Sequence, residues 1–208
     1  MSTAANTPRP AGAKPRQTQA ERSSETRRRV CEATLEALAE LPYDQVSTTL
    51  IAKRAKVSRG ALTHQFPMRN DLLVAAFQYL LDGWQEGYPF GCDPDTTRLS
   101  VEELVDALWE NLFSNEKYIA AMALMLAARQ DTELGRTLRQ AVVKWVGDRD
   151  RTAVTLIGGS PEDEEAVLLV QLHLAVLRGI AHIQSLETDE NTAAKLIGLW
   201  KRIATRRP

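Results

Sequence analysis

The chain has 208 residues, 44% hydrophobic, 25% charged and only 6% aromatic, with two cysteines and no CxxC. This composition is that of an ordinary soluble globular protein; it suits packed helices better than sheets and argues against a disulfide framework or a structural zinc site. The net charge of -1 conceals an asymmetry: residues 1–66 hold 11 Lys/Arg against 6 Asp/Glu, and residues 67–208 hold 15 against 21.

Residues 1–20 contain three cations and no acid and too little apolar surface for a core, which predicts a disordered basic arm. From Glu21 to Glu40, Val30, Ala33, Thr34, Ala37 and Leu38 recur at helical spacing, while Glu32, Glu36 and Glu40 mark a polar face. Pro42 ends this first helix. Ser47 is placed to cap a short helix through Ala55, and Ser58 another to about Gln65, with only Lys56 and Val57 between them. Two short helices across so tight a turn make a helix-turn-helix. Pro67 breaks the chain, and a fourth helix is predicted over 69–82. The Gly- and Pro-rich stretch 83–98 reads as a loop. Five more helices are expected, over 100–114, 116–129, 132–156, 161–185 and 189–204. Glu187 to Asp189 separates the last two. No stretch alternates long enough to be a strand, and no apolar run reaches the ~20 residues that span a bilayer. No apolar leader is seen, so a cytoplasmic protein is expected.

The segment 47–66 carries its own chemical logic. Leu50, Ile51, Ala55, Val57, Leu62 and Phe66 are positioned to bury the two short helices. Thr48, Thr49, Arg59, Ala61, Thr63 and His64 are left outside, with Gly60 beside them and no acid among them. An acid there would repel phosphate, and the small Gly60 and Ala61 permit close approach to a groove. The run Arg27-Arg28-Arg29 reads as a solvated face or as phosphate contacts.

The stretches TRRRVCEATLEAL and IAKRAKVSRGALTHQF, with Tyr43 between them and Pro67 followed by RNDLL, resemble the TetR/AcrR family of bacterial transcriptional regulators. The resemblance covers about residues 26–75. It implies an all-α protein: a three-helix DNA-binding head over 21–67 and a helical ligand-binding and dimerisation body over 68–208. It also implies a homodimer on double-stranded DNA at a palindromic operator, released by a small-molecule effector. Arg59, Ala61 and Thr63 match base-facing positions; Thr48, Thr49, His64 and Arg69 match positions that hold phosphate or neighbouring bases. A guanidinium such as Arg59 reads guanine through two hydrogen bonds. Three positions depart from the family pattern: Thr63 where tyrosine is common, Lys56 where the turn often has glycine, and Met68 where a serine cap is common. Without that cap, Asp71 is left to support the fourth helix.

In the body, VLLVQLHLAVLRGIAHI is apolar nearly all round, as expected of a helix buried on several sides. With the helix around Leu196 and Trp200 it is a candidate four-helix dimer seam. Gln171, Ala175, Arg178 and His182 form a polar stripe on it. Arg178 and His182 are either acidic-ligand contacts or members of the seam. Trp84, Tyr88, Trp109, Phe113, Tyr118, Met122, Met125 and Arg129 are the other pocket candidates, against the alternative of plain core. No metal or cofactor is expected: His173 and His182 are nine residues apart, on opposite helix faces, and no GxSxG, HExxH or phosphate-cradling glycine loop occurs. These features favour a regulator, most simply a repressor, over an enzyme or a constitutive DNA-binding protein without effector.

Overall fold

The computed structural model describes residues 18–130, 132–186 and 191–205. The expected arm up to residue 17 and the separator 187–190 lie outside them. All regular structure among the described residues is helical: α1 (Gln19–Glu40), α2 (Thr48–Arg54), α3 (Arg59–Gln65), α4 (Arg69–Glu86), α5 (Val101–Leu108), α6 (Glu116–Ala127), α7 (Thr132–Leu156), α8 (Glu164–Gln184) and α9 (Asn191–Thr205), with a 3-10 turn at Tyr43–Gln45.

The helix starts follow from capping chemistry. The α1 start is a capping box: the Glu21 backbone donates to Thr18 Oγ1 and the Thr18 backbone donates to Glu21 Oε2. That box sets the first helix two residues before its sequence-predicted start. Ser47 and Ser58 accept from the Leu50 and Ala61 amides at 3.2 and 3.1 Å. Met68 offers no cap, and Asp71 supports α4 by accepting from the Met68 amide at 2.9 Å. α4 continues past Asp82 because Gly83 is tolerated on its open side; it ends at Gly87. The expected helix 100–114 is α only to Leu108 and closes in a π turn over Trp109–Phe113. The expected start at Pro161 is three residues early. Asp163, whose side chain accepts from the Glu165 amide, is the cap.

Two apolar cores organise the chain. The first joins α1, α2 and α3 to most of α4, to α6 and to the start of α7, through Leu38, Ile51, Leu62, Leu73, Phe77, Leu124 and Leu138 among others. The head is therefore not a free-standing unit; α6 lies directly along α1. The second core holds α5, the π turn, the end of α7, α8 and α9, through Leu104, Leu108, Val154, Val170, Leu174 and Leu177. Trp84 of α4 and Trp145 of α7 pack against both, their ring centroids 5.5 Å apart.

Candidate functional site: an exposed head helix and a cavity between two cores

The turn between α2 and α3 is tight enough to force Lys56 to φ 54°, the left-handed region that a side chain enters at a cost. The Lys56 carbonyl is held there by Arg29 Nη2 at 3.0 Å. α3 then turns Leu62 inward, with Phe66 at its end, and leaves Arg59, Gly60, Ala61, Thr63 and His64 exposed. Thr49 is exposed and Thr48 half-buried at the start of α2. No acid stands on the α3 face. Its terminal N–H groups and Arg59 make a small electropositive edge. Thr63 Oγ1 donates back to the Arg59 carbonyl at 2.9 Å.

Arg69 is placed differently from the other candidates. Its guanidinium reaches inward to the carbonyls of Val46 and Tyr43 and to the Tyr43 hydroxyl. The arginine run also has partners within the chain: Arg28 pairs with Glu25 and Glu32, Arg27 stacks over Phe66 and Arg29 holds Lys56.

A cavity of about 670 Å³ lies where the two cores meet. Phe77, Leu81 and Trp84 of α4 form one wall, Tyr118, Met122 and Met125 of α6 a second, Trp145 of α7 a third and Leu174 of α8 a fourth. Its polar groups are concentrated on α7 and α8. Arg149 and Asp150, each 4% exposed, form an ion pair within it. Arg149 Nε and Nη2 donate to Asp150 Oδ1 at 2.9 and 2.6 Å, and Gln171 Nε2 donates to Asp150 Oδ2 at 3.0 Å. The Arg149 guanidinium also lies over the Trp145 ring. Burial pulls its pKa below the ordinary arginine value, against the opposing pull of Asp150. The Tyr118 hydroxyl, buried in the same wall, makes no hydrogen bond. Burial pushes its pKa up, and the nearby Arg178 charge works against that shift.

Trp84, Tyr118, Met122, Met125, Arg129, Gln171 and Arg178 line the cavity. Trp109, Phe113 and His182 do not. Phe113 packs edge-on against Tyr118 at 4.9 Å and belongs to the second core, as does Trp109 beside it. His182 lies one helical turn beyond Arg178 and is exposed. Tyr88, 47% exposed, is also outside it. The α7 side, with Arg139, Trp145, Arg149 and Asp150, escaped the sequence reading. Its signal was a stripe at 139, 142, 145 and 149, helical in spacing and bounded by arginines. Among the described residues no cluster of metal-ligating side chains occurs, and burial pushes the Cys31 thiol up to about 11, away from reactivity.

Residues 30–76 match the family described as bacterial regulatory proteins, tetR family. The matched residues, about a quarter of the chain, contain the whole helix-turn-helix, so the head is similar to that of the tetR-family regulatory proteins. The regulator CymR of Pseudomonas putida is 29% identical over 135 residues, 61% of this chain; the chain spans 63% of the length of CymR. An uncharacterized HTH-type transcriptional regulator of Mycobacterium tuberculosis is 27% identical over 80% of this chain and 86% of its own. The multidrug binding protein EbrR, solved with imidazole, shares the fold at a TM-score of 0.60 and 22% identity, over 94% of this chain and 99% of EbrR. EbrR has also been solved with ethidium.

Proposed function

We propose that this protein is a cytoplasmic homodimeric repressor of the TetR type that binds a palindromic operator and leaves it when a small molecule occupies the body. The observation that carries this reading is the position of the cavity. It sits between the core that contains the DNA-binding head and the core that contains α8 and α9, and α4 runs from the head to its wall. A ligand that wedges this joint favours one relative placement of the two cores over another. It moves the equilibrium only by its differential affinity for them. The alternative of a constitutive DNA-binding protein gives no use to such a cavity, and among the described residues its lining holds no serine, cysteine or histidine for a catalytic role.

In this reading α3 enters the major groove. Arg59 and Ala61 read base edges, Thr63 and His64 touch neighbouring bases or phosphate, and Thr48 and Thr49 hold the backbone across from them. Arg69 fixes the register of the head rather than touching phosphate. The two copies of α3 must stand about 34–36 Å apart to meet successive major grooves. Dimerisation supplies that spacing. Leu168, Leu172 and Ile183 of α8 and Leu199 and Ile203 of α9 are all large, apolar and at least 38% exposed. Gly179, with open space above it, sits among them. The length and composition of α8 would also allow it to cross a membrane. Arg178 within it and the buried second core beneath it fit a helix shared between two protomers better.

A footprint of the full-length protein on the DNA upstream of its own gene tests the proposal. Two-fold symmetric protection is expected, with Arg59→Ala weakening binding at least tenfold, the discrimination that a two-bond guanine contact carries. Protection without two-fold symmetry, or no binding to duplex DNA at low salt, refutes it.

A further inference from the structure

We propose that the cavity is built for an aromatic or similarly flat apolar acid, whose anionic group sits at Arg149, Arg178 and the Tyr118 hydroxyl. This rests on the reading of the cavity as the effector site and names the chemistry it selects. Among the described residues four arginines line it, Arg129, Arg139, Arg149 and Arg178, against a single carboxylate, Asp150. That carboxylate is already engaged: Arg149 occupies one oxygen twice and Gln171 the other. A cationic ligand would find no free acid and would face uncompensated like charge.

The donors, by contrast, are in surplus. Arg149 is 4% exposed and its Nη1 makes no hydrogen bond among the described residues. The Tyr118 hydroxyl, on a side chain 7% exposed, lies beside Arg178, which only donates, and its own proton has no acceptor among the described residues. Arg178 has no acidic partner among the described residues. Buried polar groups without partners are costly, and groups that all donate are satisfied together by an acceptor-rich anion. The remaining walls, Trp84, Trp145, Met122 and Met125, are flat or adaptable and apolar, suited to a ring system. At about 670 Å³ the cavity falls in the range of small-molecule sites.

The test is calorimetric titration of the full-length dimer with three two- or three-ring probes: 2-naphthoate, the uncharged 2-naphthamide and the cation proflavin. Quenching of Trp84 and Trp145 fluorescence gives a second readout. We expect saturable binding of 2-naphthoate and at least tenfold weaker binding of 2-naphthamide and proflavin. Arg178→Gln, on an exposed part of α8, should remove most of that preference. Tyr118→Phe should lower 2-naphthoate affinity several-fold. Equal affinity for acid and amide, tighter binding of proflavin, no saturable binding of the acid, or an unchanged preference in Arg178→Gln overturns the assignment. Failure of the effector reading looks different: the acid binds with the expected preference but DNA affinity does not change. Release of DNA by a neutral or cationic compound alone would instead refute the acid class and leave the effector reading standing.

Discussion

The Arg69 guanidinium lies 4.2 Å over the ring of Tyr43 and donates to the Tyr43 carbonyl at 2.7 Å. Its other nitrogens reach the Val46 carbonyl at 3.0 Å and the Tyr43 hydroxyl at 2.8 Å. One side chain from the first turn of α4 thus holds the whole linker that enters α2. Arg69→Ala strands two carbonyls and removes a stacked cation. We expect it to lower unfolding stability by ~2–3 kcal/mol in a urea titration. Arg69→Lys should recover little of this, because an ammonium cannot reproduce the planar fork. A loss under 0.5 kcal/mol, the scale of an ordinary surface substitution, would show the staple to be ornamental.

Lys56 gives the opposite kind of prediction. At φ 54° it strains the turn between α2 and α3, and its side chain is exposed. Lys56→Gly should stabilise the protein by up to ~1 kcal/mol, since glycine enters the left-handed region without the Cβ clash. Part of that gain is offset by the greater freedom of glycine in the unfolded chain. A rise in thermal midpoint checks it. A fall would mean that the Lys56 side chain does work that the geometry does not record.

How much of this was legible beforehand varies with the kind of interaction. The helices were readable because their signals are local: Ser47 and Ser58 as caps, apolar residues at helical spacing, prolines as breaks. The strain at Lys56 and the support from Asp71 also followed from which residue a turn or cap normally requires. What the sequence hid depends on packing between distant segments. Nothing local says that Arg69 turns back to Tyr43 rather than outward to phosphate. Nothing local separates Phe113 from Tyr118, five residues apart, with only Tyr118 on the cavity wall. Arg149 and Asp150 looked like ordinary charges on a long helix. Only the approach of Gln171 from α8 and of Trp145 beneath makes them a buried pair.

His173 links the second core to pH. Its Nδ1 accepts from Trp200 Nε1 at 3.1 Å, so the ring is held neutral with its proton on Nε2. Burial lowers its folded-state pKa below the ordinary 6.5. The unfolded chain therefore takes up the proton first, so stability is full above pH 6.5 and is lost as pH falls below it. We expect the thermal midpoint to begin falling near pH 6.5, before carboxylates titrate. His173→Gln keeps an acceptor for Trp200 but cannot titrate, and should flatten the curve between pH 7 and 5.5. An unchanged slope in this variant would assign the acid sensitivity to other groups.

The apolar stripe on α8 and α9 carries the last prediction. Leu172, 49% exposed, lies one turn from Leu168 and two turns from Gly179. A charge placed there meets its own symmetry copy in an isologous interface, so each substitution acts twice. Burying an unpaired carboxylate costs more than a marginal dimer holds. Leu172→Glu should therefore sediment as the 23.1 kDa monomer, with the helical circular dichroism of the parent chain. Operator affinity should fall by about a hundredfold or more, because the second head loses its tether. Binding of 2-naphthoate should persist in the monomer, since the groups assigned to the acid all belong to one chain. A variant that remains dimeric would place the interface elsewhere on the surface, and α8 would then need another partner for its exposed leucines.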